Sequence, residues 1–271
     1  MSLKPSEHQV AGHMKGGTAA TLVDNEGKFY KPLQEGPRGA REYEFYETVK
    51  GNSMQEKSSK KECTGTLQTF MPTYYGSTTI DGVKHIIVQD INFGYDKPSC
   101  LDLKIGFRTW YEAPWNSDDW ISNRKAKDER EGLTQLGFKL CGMNLWLQSE
   151  GRYWKQERDY WRSLATREPV VEELRRFACN GSGLAAREIY GPALSQLEAI
   201  SRWFETQEEY CFYGCSVLMT YEGAAVAAED LKVSCKLIDF AHSFGGQQQK
   251  DMNFLGGLRS VMSLIKEAAD I

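Results

Sequence analysis

Charged side chains stand beside three apolar segments of this 271-residue chain where they could act together on a phosphate. In Pro98-Ser-Cys-Leu-Asp102-Leu-Lys104-Ile-Gly106 an acid and a base lie two residues apart, so an extended backbone puts both on one face. Such a pair can orient a hydroxyl group and neutralise a phosphate. In Leu237-Ile-Asp239-Phe-Ala-His242 an aspartate ends an apolar strand, a position from which a metal–nucleotide complex is often gripped. Lys31, within the apolar residues 29–33, is the third such group. Taken singly, each is also accounted for as a solvated residue flanking a strand.

The elements that would position these residues follow from periodicity and punctuation. Residues 29–33, behind the turn Asp24-Asn-Glu-Gly27, and residues 85–88, behind Asp81-Gly82, read as strands. Residues 41–49 have partly helical spacing and close before Gly51, which predicts one helix crossing a small sheet. The polar stretch 52–65 predicts an exposed loop. After Pro98 the pattern changes. Asn116, Ser117 and two aspartates open a segment that gathers Arg124, Lys125, Lys127 and Arg130, a short basic helix or helix pair. Residues 138–147 and 153–160 predict a hairpin. Residues 169–177 and 192–207 predict helices behind a starting proline, residues 216–221 and 233–238 two strands, and residues 254–269 a final helix. Strands first and mixed elements afterwards predict an α+β, two-lobed fold.

Composition narrows the function. With 41% hydrophobic and 26% charged residues the chain is globular, and 33 Lys+Arg against 37 Asp+Glu leave a net charge of −4. The average field repels polyanions, so any anionic partner needs a local basic patch, which argues against a general nucleic-acid coating role; no nucleic-acid partner is expected. No run approaches the roughly 18 apolar residues of a membrane span, and the start lacks a signal-peptide core. A cytoplasmic or nuclear monomer without membrane insertion is expected. Seven scattered cysteines without a CxxC pair read as reduced and mostly buried, and four histidines make a histidine-rich metal site improbable. Glycine-rich phosphate loops, HExxH and GxSxG are absent. The seven tryptophans do not alternate with a basic stripe, which favours packing over base stacking. Gly16-Gly17 suits either a flap or a plain hairpin turn.

The PxxxDxKxG pattern of Pro98, Asp102, Lys104 and Gly106 resembles the signature of the inositol polyphosphate kinase family, on its plant-type multikinase side. Further matches in family order are Glu7-His-Gln-Val-Ala-Gly-His13, Lys31-Pro-Leu-Gln34, Pro37-Arg-Gly39, residues 197–207, Ile238-Asp-Phe-Ala-His242 and Asp251-Met-Asn-Phe-Leu-Gly-Gly257. The resemblance implies a protein-kinase-like fold with ATP between a small N-lobe sheet (1–91) and a larger C-lobe (92–271), the latter with a substrate-holding insertion near 112–135. It implies that Lys31 reaches the ATP phosphates, that the backbone of Gln89, Asp90 and Ile91 meets adenine, and that Asp102 accepts from the ribose. By the same carry-over Lys104 stabilises the transferring phosphoryl group, Asp239 holds Mg²⁺, and His242, a helical turn beyond it, faces the inositol phosphate. Arg38, Arg124, Lys125, Lys127 and Arg158 would complete a cationic cradle, although a solvated helix face also accounts for the basic helix. The implied activity is ATP-dependent phosphorylation of inositol tris- and tetrakisphosphates at positions 3 and 6, with 5 a further candidate. The alternatives are an inositol hexakisphosphate kinase making pyrophosphates and a non-catalytic inositol-phosphate-binding scaffold.

Overall fold

Asp24 sets the first hairpin by accepting hydrogen bonds from the Glu26 and Lys28 backbone N–H groups and from the Tyr30 hydroxyl (2.8, 2.9 and 3.0 Å). The computed structural model describes residues 2–7, 20–56 and 66–271. His13, Gly16-Gly17 and Cys63 lie outside the described residues. Strands β1 (Lys4–Pro5), β2 (Leu22–Val23), β3 (Lys28–Pro32), β4 (Tyr74–Ile80) and β5 (Val83–Gln89) form an antiparallel sheet in the order β1-β2-β3-β5-β4. Between β3 and β4 the chain runs through helix α1 (Pro37–Glu56) and the short α2 (Leu67–Phe70). Pro37 opens α1, where its missing N–H costs nothing. Gly39 lets Gln34 come close, since a Cβ there would lie 2.0 Å from the Gln34 carbonyl oxygen.

The larger part is built on a second antiparallel sheet. Its strands are β6 (Pro98–Ile105), β7 (Phe138–Leu147), β8 (Arg152–Lys155), β10 (Ser216–Glu222) and β11 (Ser234–Ile238), in the order β11-β10-β6-β7-β8. Strands β9 (Cys211–Phe212) and β12 (Ser243–Phe244) make a separate ribbon. The helices are α3 (Asp118–Arg130), α4 (Leu133–Leu136), α5 (Arg158–Ser163), α6 (Arg167–Ala178), α7 (Ala186–Thr206) and α8 (Met252–Ala269). Ser117 caps α3 by accepting from the Trp120 N–H, and Asp118 and Asp119 occupy its first turn, as the sequence pattern predicts.

Several elements depart from expectation; besides the short α2, α4, β1, β2, β9 and β12, and α6 beginning at Arg167 ahead of Pro169, four bear on the site or the packing. Helix α1 runs past Gly51 to Glu56, so the polar loop begins later than residue 52. Strand β4 was not anticipated; it is an edge strand that alternates intermediate and exposed positions and so lacks the apolar signal of a buried one. The second arm of the 138–160 hairpin ends at Lys155, and Arg158 opens α5 instead. Helix α7 starts at Ala186 with Pro192 inside it. Its first N–H groups lack the usual Ser, Thr or Asp cap, and Glu188 instead accepts from the Ala185 N–H (2.7 Å).

The two parts join through aromatic side chains. Helix α1 buries Glu42, Phe45, Tyr46 and Val49 at helical spacing, and Phe45 stacks on Phe240 at 5.0 Å while Tyr46 meets the same ring edge-on at 5.4 Å. Trp161 and Trp203 are buried, and so are Cys100, Cys211, Cys215 and Cys235, all as free thiols. Among the described residues no helix is long and apolar enough to cross a membrane.

The segment from Asp251 to Gly257 anchors the end of β6. A Cβ on Gly257 would lie 2.5 Å from the Gly106 nitrogen, and the Asn253 amide accepts from the Arg108 N–H and donates to the Arg108 carbonyl. Asp251 caps α8 by accepting from the Phe254 N–H (2.8 Å) and also accepts from the Phe212 N–H of β9 (2.6 Å). Replacing Asp251 by Ala orphans two buried donors, and the expected loss is about 2–4 kcal/mol in denaturant unfolding. A loss below about 0.5 kcal/mol would contradict this anchoring role.

Candidate active site

The two sheets face each other across a cavity of about 830 Å³. From the small sheet Lys31 of β3 reaches into it and donates to Glu42 Oε1 of α1 (2.7 Å) and to Asp239 Oδ1 (2.6 Å). Glu42 is 1% exposed, whereas the Asp239 carboxylate is 40% exposed and opens to the cavity. Asp239 follows β11 with a φ of 67°, a left-handed conformation that aspartate tolerates better than most residues. Burial opposes ionisation at both ends of this network. The two carboxylates nonetheless raise the lysine well above its ordinary range, and Lys31 and Lys104 hold Asp239 well below the usual carboxylate range.

Asp102 and Lys104 project from β6 on one face, as their spacing predicts, and both line the cavity. Lys104 donates to the Gly214 carbonyl (2.6 Å). Burial pushes the Asp102 carboxyl up to about 6, with the charge of Asp239 adding to the effect. Its Oδ1 is buried and has no hydrogen-bond partner among the described residues. Gln89, Asp90 and Ile91 lie at the end of β5, where the Gln89 N–H is taken by the Thr73 carbonyl and the Asp90 N–H by the Gly27 carbonyl (both 2.8 Å).

The opposite wall is cationic. Helix α3 turns Trp120, Asn123, Arg124, Lys127 and Asp128 toward the cavity, the spacing of a single helical face. Asp128 fixes that face by accepting from the Thr109 N–H (2.6 Å) and hydroxyl (2.8 Å). Lys125 does not line the cavity; about 100° around the helix from Arg124, its ammonium sits 4.3 Å above the Trp110 ring. Arg38, in the first turn of α1, and Arg158, at the start of α5, both line the cavity. His242 is not a helical turn beyond Asp239. The chain makes an irregular turn there and brings His242 Nδ1 within 3.0 Å of the Tyr111 hydroxyl. Burial, reinforced by Arg38 and Arg124, brings the imidazole down to about 3, so it is neutral at pH 7. His242 Nε2 and Arg38 Nε are both buried without a hydrogen-bond partner among the described residues.

Sequence reasoning missed Glu42, Glu131, Lys139 and Arg162. Glu42 sits among the aromatic residues of α1 with no motif of its own. Lys139, which pairs across the sheet with Lys104, forms an ion pair with the buried Glu131, and its strand reads as apolar. Among the described residues no group of three or more His, Cys, Asp or Glu forms a metal cluster.

Carboxylates on one side of the cavity and surplus cations on the other suit two anionic reactants, and a lysine bridged to a glutamate and an aspartate between the two sheets is the arrangement of a kinase-type phosphotransferase. A family model described as inositol polyphosphate kinase matches residues 85–266. Inositol polyphosphate multikinase alpha of Arabidopsis thaliana is 35% identical over 286 residues, covering 98% of this chain and 96% of that protein. A solved structure described as an inositol phosphate multikinase is 33% identical, with a TM-score of 0.67 over 83% of this chain and 97% of that one. The multikinase of S. cerevisiae in complex with ADP and Mn²⁺ shares the fold at 22% identity, with a TM-score of 0.71 over 89% of this chain and 98% of that one. The chain belongs to the inositol polyphosphate kinase family.

Burial, and after it the charge of Lys139, brings the Lys127 ammonium down to about 8, against the opposing pull of Glu131. Lys127 therefore loses its proton as pH rises through about 8, and an anion that prefers the charged form binds with proton uptake there. Calorimetric titration of inositol tetrakisphosphate in buffers of different ionisation heat is expected to show that uptake, with affinity falling above pH 8. Unchanged affinity between pH 7 and 9 would refute this electrostatic reading of the wall.

Proposed function

We propose that this protein is an ATP-dependent inositol polyphosphate multikinase acting on the 3- and 6-hydroxyls of inositol tris- and tetrakisphosphates, with the 5-hydroxyl a further acceptor. The observation that carries this reading is the position of Lys104, with Asp102 and Asp239 on one side and the cations of α3 on the other.

ATP suits the sheet-lined end. Phe29, Val88, Leu140, Leu218 and Ile238 provide apolar surfaces for a planar base. With the Gln89 and Asp90 N–H groups engaged, the adenine edge falls to the Ile91 N–H, which has no partner among the described residues, and to neighbouring carbonyls. Asp102 Oδ1 is the acceptor available to the ribose hydroxyls. Lys31 presents its ammonium to the ATP phosphates.

Asp239, open to the cavity and beside a second carboxylate whose ionisation it already opposes, offers the hard oxygen donors that suit Mg²⁺. Bound there with ATP, that ion supplies neutralisation of phosphate charge. The acceptor faces Arg38, Arg124, Lys127, Arg158 and neutral His242. Forked guanidinium groups take phosphate oxygens two at a time, and His242 Nε2 is left to meet a phosphate or hydroxyl. Lys104 lies where the transferring phosphoryl group and the attacking hydroxyl must meet. With Asp102 given to the ribose and Lys127 to the acceptor phosphates, in this reading no dedicated base is left beside the acceptor hydroxyl, which suits a loose transition state in which the proton leaves late.

Incubation with Mg-ATP and separate inositol tris-, tetrakis-, pentakis- and hexakisphosphates, with products resolved by ring position, is expected to consume the first two. Lys104→Ala and Asp239→Ala are expected to lower turnover by about 10³-fold or more while circular dichroism stays unchanged. Consumption of hexakisphosphate alone, or near-normal turnover in either variant, would contradict the proposal.

A further inference from the structure

Lys104 has a neighbour that phosphoryl transfer as described leaves unused. The register of β6 and β7 sets Lys139 directly opposite Lys104, and paired residues rise from the same face of a sheet with Cβ atoms about 5 Å apart. Like charges so placed destabilise a sheet, and at 11% exposure Lys139 gains little screening from solvent. Glu131, just beyond the end of α3 and 2% exposed, offsets part of this repulsion through its ion pair with Lys139. The other carboxylate oxygen, Oε1, has no hydrogen-bond partner among the described residues, and the Arg162 guanidinium of α5 stops 3.8 Å from it.

Lys127, one turn before Glu131, looks into the same corner, and among charged groups Lys139 depresses it most. Lys127, Lys139 and Arg162 all line the cavity, whereas Glu131 stands behind them. Arg130, 3.7 Å from Glu131, is 71% exposed and does not line it. Lys127, Lys139 and Arg162 thus face the cavity around Glu131; Arg162 also donates to Asp159 (3.1 Å) and Asp128 lines the cavity beside Lys127, and Lys104 and Arg124 nearby leave the wall with cations in excess. A cavity corner with that excess of cations is matched by an anion, and a phosphate group has the oxygens to take donors from Lys127, Lys139 and the half-exposed Arg162.

We infer that Lys139 and Arg162, steadied by Glu131, form with Lys127 a second phosphate-holding corner that grips one ring phosphate of the acceptor while Arg38 and Arg124 grip another. This deepens the kinase reading and rests on it. It makes a ring with at least two phosphates the required class of acceptor, and it makes Lys139 and Arg162 specificity residues.

The test measures calorimetric binding of inositol tris- and tetrakisphosphate isomers without nucleotide, together with steady-state kinetics. For isomers that fill the corner, Lys139→Met is expected to weaken binding and raise the inositol phosphate KM by about 10-fold or more, the loss of one charge-assisted hydrogen bond. The KM for ATP stays within about twofold, and Lys139→Arg restores most of the affinity. Isomers lacking the phosphate that occupies the corner lose nothing. Because Lys139→Met takes from buried Glu131 its hydrogen-bonded partner, the double variant Lys139→Met/Glu131→Gln separates binding from stability. A corner that holds phosphate keeps its affinity loss in the double variant, whereas a merely structural pair recovers. Recovery there, an equal loss for every isomer, or unchanged binding in Lys139→Met would overturn the corner while leaving the kinase reading intact. Wild-type protein that neither binds nor phosphorylates any inositol phosphate would overturn both.

Discussion

The ammonium of Lys31, held between Glu42 and Asp239, is the interaction on which the rest of the site depends. It draws together a strand of the small sheet, a helix that packs across to the larger part, and the turn after β11, with its two acceptors 11 and 208 residues away along the chain. A pair taken out of water gains little stability, but removal of one partner strands a charge. Asp239 is therefore fixed twice, by its left-handed backbone and by its ion pair, while Phe240 beside it is locked in the aromatic stack with Phe45. The same helix, α1, carries both Glu42 and Phe45, so one element sets the charge and seals the apolar side.

Around that network the cavity separates its charges. The whole chain is acidic by four units, yet the wall formed by α3, α5 and the first turn of α1 carries surplus cations that burial and mutual repulsion hold in tension. Orphaned polar atoms on Arg38, His242 and Asp102 mark where ligand atoms would complete the hydrogen bonding. A chain of net negative charge thus gathers an excess of cations on one wall of its cavity.

Much of this was legible in the chain. The spacing of Asp102 and Lys104 placed both on one face of a strand, and the acidic start and basic end of α3 marked its limits to within about two residues. The PxxxDxKxG and Asp251 to Gly257 segments, read as separate motifs, pack together: Gly257 is small so that α8 can approach the Gly106 backbone, which holds the strand bearing Lys104. What could not be read depends on register and on distance through space. Glu42 has no partner nearby in sequence, Lys139 matters only because the pairing of β6 and β7 sets it beside Lys104, and Lys125 turns away because α3 presents one face and not the next. Proline at position 192 suggested a helix start because the true start at Ala186 lacks a hydroxyl or carboxylate cap.

Whether Glu42 and Asp239 together place Lys31 for the nucleotide is tested most directly at Glu42, which is buried behind Lys31 and does not line the cavity. In Glu42→Gln the buried lysine loses one counter-charge, and kcat/KM for ATP is predicted to fall by about 10²-fold while calorimetric binding of inositol tetrakisphosphate without nucleotide stays within about twofold. Wild-type kcat/KM for ATP in that variant, or an equal loss of inositol phosphate binding, would contradict the account.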